Sequence, residues 1–149
     1  MKVTSEVVLP VSIERAWDVL VRWEDQPQWM KDADSVRVLG DQREGVGTTI
    51  AVKTRVLGVP AFTERLEVTI WEPPRRLVMA HRSFVRGVGT WRFQPVEGGT
   101  WFRWTEELHL PVPALGELAL RVYRPFMAHL MRGALADLRA FSRIDARPR

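Results

Sequence analysis

Three titratable residues stand out because strand alternation would carry each onto an apolar face. In the run Phe62 to Trp71, Glu64 shares its parity with Phe62, Leu66, Val68 and Ile70. In the run Thr100 to Leu110, Glu106 shares its parity with Phe102, Trp104 and Leu108. Between Leu77 and Ser83, His81 falls with Leu77 and Met79, although the opposite parity (Val78, Ala80, Arg82) fits nearly as well. An isolated buried carboxylate is costly, so each inward acid must be paired, protonated or close to water. A histidine between two acids has a raised pKa and can serve as general acid or base. Glu64, His81 and Glu106 are therefore the candidate catalytic residues. The competing reading places the two acids at a cavity mouth, paired with arginines such as Arg82, Arg92 or Arg103.

Other chemistries find less to work with. The chain has no cysteine, which removes disulfides, thiolate metal sites and a cysteine nucleophile, and suits a reducing cytoplasm. His109 sits at a strand end with outward parity and His129 falls on a helix; no pair has metal-ligand spacing, so no metal is expected. Gly45-Val46-Gly47 joins strands and opens no helix, so it is not a phosphate loop. No Ser-His-Asp order is suggested, and no cofactor is expected. The formal net charge is +4, carried almost wholly by arginines that are scattered and often beside acids, as in Glu64-Arg65. Specific nucleic-acid binding is not expected. A basic RNA- or ribonucleoprotein-binding module remains an alternative, and it would lose affinity steeply with salt.

The elements that must position these residues follow from periodicity. Lys2 to Leu9 alternates as a strand, Pro10 ends it, and Ser12 is placed to cap a short helix carrying Ile13, Ala16, Trp17 and Leu20. Glu24-Asp25-Gln26-Pro27 breaks that helix, and Trp29-Met30 is expected in a second brief helical turn. Strands follow near Ser35 to Val38, at Thr48 to Leu57 with Ile50, Val52, Thr54 and Val56 on one face, and at Phe62 to Trp71. Three more cover Leu77 to Ser83, Gly87 to Pro95 and Thr100 to Leu110. Gly58-Val59-Pro60 and Glu97-Gly98-Gly99 read as hairpin turns. From Leu115 to Arg143 an apolar stripe at helical spacing (Leu118, Val122, Phe126, Leu130, Leu138, Phe141) is widened by Met127, Met131 and Leu135, with a kink or separate start at Pro125. Asp145 to Arg149 reads as a frayed tail.

A hairpin-linked meander must bury one face, and a long helix with a broad apolar stripe is its natural partner. The expected fold is α+β: a curved antiparallel sheet of about seven strands wrapped around the C-terminal helix, in one domain spanning residues 1–149. The space between sheet and helix would form an apolar cavity. Val52, Thr54, Leu66, Val68, Met79 and Trp91 are candidate ligand contacts from the sheet, with Phe93, Phe102 and Trp104. Phe126 and Leu130 are the candidates from the helix. The aromatics could stack on a polycyclic ligand or simply fill the core. Met127, Met131 and Gly133 could make the cavity floor adaptable or serve ordinary packing. The N-terminus lacks the apolar core of a signal peptide, and no apolar run approaches the ~20 residues of a transmembrane segment, so a soluble, cytoplasmic protein is expected.

The same order and marks resemble the START and polyketide-cyclase superfamily, the helix-grip or pollen-allergen-like (SRPBCC) fold. The resemblance is carried by the stretch Pro10 to Leu20, by Gln26-Pro27-Gln28-Trp29, and by Trp71-Glu72-Pro73-Pro74-Arg75-Arg76-Leu77. Gly89-Thr90-Trp91-Arg92-Phe93 and Gly98-Gly99-Thr100 continue it along nearly the whole chain. It implies a pocket for a hydrophobic or amphipathic small molecule such as a lipid, a quinone or a polyketide-like aromatic. It equally implies, as an alternative, an aromatase/cyclase or dehydratase that moves protons with cavity residues. Fold alone does not choose between them.

Overall fold

The computed structural model describes residues 1–145. Of the expected frayed tail only Asp145, in the last helix, is among them; the rest lies outside the described residues. The order is β1 (Lys2–Leu9), α1 (Ile13–Leu20), a 3-10 turn (Trp23–Gln28), β2 (Ala33–Leu39), β3 (Thr49–Val56) and β4 (Val59–Glu72). It continues with β5 (Arg76–Arg82), β6 (Arg86–Val96), β7 (Gly99–His109) and α2 (Leu115–Asp145). One antiparallel sheet runs β1-β7-β6-β5-β4-β3-β2, so six consecutive strands form a meander and β1 closes onto its last member. The sheet curves around α2, and this is the helix-grip fold.

Local chemistry explains the punctuation. The Ser12 hydroxyl accepts from the Arg15 amide at 3.2 Å, supplying the N-cap of α1. Leu57 and Gly58 both have positive φ (52° and 81°), as a two-residue hairpin turn of type I′ requires. The turn therefore lies one residue earlier than the sequence suggests, and Val59 and Pro60 already belong to β4.

Other boundaries move for physical reasons. The second helical turn covers Trp23–Gln28, and Trp29 is its cap, donating to the Gln26 carbonyl at 3.1 Å. A six-residue 3-10 turn accepts Pro27 where an α-helix would lose a bond. In β4 the register shifts between Val68 and Ile70. This bulge reverses the alternation, so Trp71 packs on the core in place of Ile70. In α2 the buried face is Leu120, Met131, Ala134, Leu135 and Leu138, while Leu118 and Val122 are 56% and 73% exposed. The stripe read at spacings of four drifts around the helix; the true seam mixes threes and fours. The helix also runs through Pro125 without a separate start. Pro125 and Arg121 are both on the exposed side, where the carbonyl that loses its donor faces water.

The tryptophans settle how the interior is filled. Trp17 meets Trp71 and Phe93 at ring distances of 5.1 and 5.5 Å. Trp23 meets Trp91 at 6.3 Å, and Trp29 bridges Trp91 and Trp104 at 6.5 and 6.2 Å. Phe93 and Phe102 close the group at 5.0 Å. Edge, tilted and stacked contacts of this kind add about 0.5–1.5 kcal/mol each beyond area burial. Six of the seven indoles thus pack under α1 and the 3-10 turn, while Trp101 lies outside beneath the Arg103 guanidinium. That end of the fold is solid; the other is hollow. Among the described residues no helix is long and apolar enough to cross a membrane.

Candidate functional site

Two cavities occupy the hollow end. The inner chamber, about 90 Å3, lies between the 3-10 turn and strands β3 to β7. The outer cavity, about 610 Å3, opens between the sheet and the first half of α2. They share Asp32, Thr54, Glu64, Leu108 and Met127, which form the waist between them. Pockets that enclose drug-sized molecules measure roughly 300–1,000 Å3. The outer cavity therefore fits the body of a ligand, whereas the chamber fits only a small end group or a few waters.

The chamber contains one continuous hydrogen-bonded chain. His81 stands on β5, opposite Leu66 of β4 and Gly87 of β6, and is 8% exposed. Its Nε2 donates to Glu106 Oε2 at 2.9 Å and its Nδ1 to Glu64 Oε1 at 3.3 Å. Trp104 Nε1 donates to the other Glu106 oxygen at 2.8 Å, and Thr54 Oγ1 donates to Glu64 Oε2 at 3.0 Å. Strand alternation brings all five side chains inward. Of the arginines that the competing reading pairs with these acids, Arg82 is engaged outside with Glu67 and Arg103 with Glu6.

This arrangement decides the charge state of His81. Burial opposes the imidazolium, but the carboxylates of Glu106 and then Glu64 outweigh it and raise the pKa to about 10. At neutral pH both ring nitrogens therefore carry protons, and both protons are held. His81 offers no lone pair to a ligand; it keeps two buried acids apart and compensated.

The group that can exchange a proton near neutrality is one the strand pattern does not reveal. Asp32 lies between the 3-10 turn and β2 and lines both cavities. Burial above all, and then the charges of Glu64 and Glu106, lift its carboxyl to about 6, against a hydrogen bond from its own backbone amide. A carboxyl poised there suits general acid–base work. Tyr123, on α2 in the outer cavity, has its hydroxyl pushed up by burial and by the charges of Asp32 and Glu64. Asp32 stands in a segment without periodicity. Tyr123, the sole tyrosine, carried one signal: it falls at helical spacing between Leu120 and Met127.

Of the candidate ligand contacts, Val52, Thr54, Leu66, Met79, Trp91 and Trp104 line the chamber. Val68, Phe93 and Phe102 are within the solid core, at 0–2% exposure, and line neither cavity. Phe126 and Leu130 line neither cavity; Phe126 rests against the Tyr123 ring at 5.3 Å. Among the described residues no group of three or more His, Asp or Glu side chains is arranged to hold a metal ion.

Gly89 makes the chain of hydrogen bonds possible. A Cβ built there would sit 2.8 Å from Glu106 Oε1. A Gly89→Ala variant is expected to push the Glu106 carboxylate off Trp104 or His81 and to cost about 1–3 kcal/mol, as a buried hydrogen-bonded group losing a partner does. Urea unfolding measures it.

Comparison with known proteins agrees with this fold. The family model described as polyketide cyclase/dehydrase and lipid transport matches residues 1–142. No curated protein matches the chain. Among solved structures, TTHA0849 from Thermus thermophilus is 21% identical with a TM-score of 0.81, covering 99% of this chain and 100% of that one. The Zhui aromatase/cyclase from Streptomyces sp. R1128 is 14% identical with a TM-score of 0.81, covering 99% and 96%. The di-domain ARO/CYC StfQ of the steffimycin biosynthetic pathway is 16% identical with a TM-score of 0.76; the match covers 97% of this chain and 51% of that one. At these identities the likeness is one of fold.

Proposed function

We propose, from the premise that this chain belongs to the polyketide cyclase/dehydrase and lipid-transport family, that it reversibly encloses a hydrophobic or amphipathic small molecule. The apolar body occupies the outer cavity and a small polar end reaches the chamber. The observation that carries this reading is the outer cavity of about 610 Å3, walled by Val56, Phe62, Leu110, Leu120 and Tyr123 and sharing its waist with the chamber that holds Glu64, His81 and Glu106. Lipids, quinones and polyketide-like aromatics all have that shape. Native mass spectrometry of protein purified from its own host tests it: a retained organic molecule supports the reading, and bare protein under gentle conditions, with no uptake of added hydrophobic compounds, overturns it.

Ala119 gives a local test. It lines the outer cavity yet is exposed on α2, so a larger side chain fills space without disturbing the core. Ala119→Trp is expected to weaken binding at least ~10-fold, about 1.4 kcal/mol, while the melting temperature moves little. Calorimetric titration and thermal unfolding read the two quantities.

A second reading, an aromatase/cyclase or dehydratase, is favoured by one observation: Asp32, poised near pH 6, stands at the waist where the polar end of a ligand would lie. There Asp32 would take a proton from a carbon beside a carbonyl and return it to an oxygen, with Glu64 orienting the substrate. Turnover by wild-type protein that falls ~100-fold or more in Asp32→Asn, with binding retained, would establish the enzyme.

A further inference from the structure

The polar lining of the chamber is unbalanced in a way that specifies the end group. Glu64 and Glu106 stand against one imidazolium, and Asp32 adds a further negative charge when ionised. The two His81 N–H groups, the Trp104 N–H and the Thr54 hydroxyl are all donated to the two glutamates. Among the described residues no lysine or arginine lines either cavity, although the chain holds 22 such residues. A carboxylate, phosphate or sulfate entering here would meet like charge, no free cation and almost no free donor, and it would lose its hydration.

One donor does remain. Gln26, from the 3-10 turn, lines the chamber and is 2% exposed, and its Nε2 is buried with no partner. An unpaired buried amide costs roughly 1–3 kcal/mol, and a ligand that accepts from it recovers that cost. An ammonium group would be drawn to the carboxylates but leaves this amide unpaired, and a methyl group can neither accept nor donate. A hydroxyl does both, accepting from Gln26 and donating to a carboxylate across the chamber. A chamber of about 90 Å3 has room for such an end and little more.

We infer that the ligand's inner end is an uncharged hydroxyl, as in a phenol, enol or alcohol, and that the chamber rejects anionic ends. This inference rests on the binding reading above and narrows its ligand class: free fatty acids and phosphate-headed lipids are excluded from a head-inward pose.

The test is calorimetric titration near neutral pH with four compounds that share one apolar body: 2-naphthol, 2-methylnaphthalene, 2-naphthoate and protonated 2-(aminomethyl)naphthalene. The hydroxyl compound is expected to bind at least ~10-fold more tightly than the methyl compound and the naphthoate. In Gln26→Leu, a change of similar volume, its advantage over the methyl compound should shrink to within ~3-fold. In Glu64→Gln the naphthoate should gain relative to the naphthol. Equal binding of all four by wild-type protein, or preference for the acid or the ammonium, overturns the end-group assignment and leaves the enclosing cavity intact. Failure of all four to bind, with no molecule retained from the host, overturns the binding reading itself. Because the ranking is read on wild-type protein, poor folding of either variant does not rescue the inference.

Discussion

His81→Leu is expected to destabilise the protein by about 3–5 kcal/mol, the cost typical of breaking a buried ion pair and leaving charge uncompensated. Leucine fills most of the imidazole volume, so cavity formation contributes little. What is lost is the cation between Glu64 and Glu106, which are 15% and 9% exposed at the side chain and would be left without their common partner. A domain of about this size loses about 2–4 °C in melting temperature per kcal/mol, so the midpoint should fall by roughly 10 °C. The double variant His81→Leu/Glu106→Gln should recover part of the loss, because it removes one of the orphaned charges. A double-mutant cycle on urea unfolding separates the coupling from each single effect. If His81→Leu is as stable as wild type, the chain of buried bonds is not what holds this end of the sheet.

Stability should also fall as the solution is made alkaline, and by an amount His81 largely sets. Its pKa stands at about 10 when folded against an ordinary 6.5. The folded state therefore holds the proton more tightly, and between those two values it carries more protons than the unfolded chain. The contribution is complete below about pH 6.5 and is lost as pH rises through 10. At about 1.4 kcal/mol per pH unit of separation this amounts to a few kcal/mol. Asp32, lifted from 3.8 to about 6, has the same sign at lower pH: its protonated form favours the folded state, and that advantage fades between about 4 and 6. The alkaline limb is unusually free of competitors, since the chain has no cysteine and one tyrosine. Urea unfolding at pH 6.5 and 9.5 should show the loss in wild-type protein, and a nearly flat profile in His81→Leu. Equal slopes in the two proteins would sink the assignment.

What the sequence discloses follows physical regularity. Glu64, His81 and Glu106 are legible because each lies in a strand whose alternation ties its direction to apolar neighbours. Where the period breaks, the reading breaks with it. The bulge after Val68 turns Trp71 inward, and no composition signal at Thr69 announces it. Asp32 and Gln26 lie in short turns, where burial depends on the tertiary fold and not on a repeat. On α2 the seam is set by contact with β1 and the cavity, so Leu120 and Tyr123 face in while Leu118 and Val122 face water. The division of the interior into a filled end and an empty one is likewise a property of packing, since residue types alone do not say which tryptophans meet.

That filled end has an optical consequence. Successive indoles from Trp17 through Trp71, Trp23, Trp91 and Trp29 to Trp104 lie with ring centroids 5.1–6.5 Å apart. At such spacing an excitation formed on one ring migrates to its neighbours before it is emitted. Two rings of this row, Trp91 and Trp104, form part of the chamber wall. A molecule that quenches either of them drains light gathered by the whole row. Entry of a ligand of the kind proposed above would thus be readable from ultraviolet emission without any label.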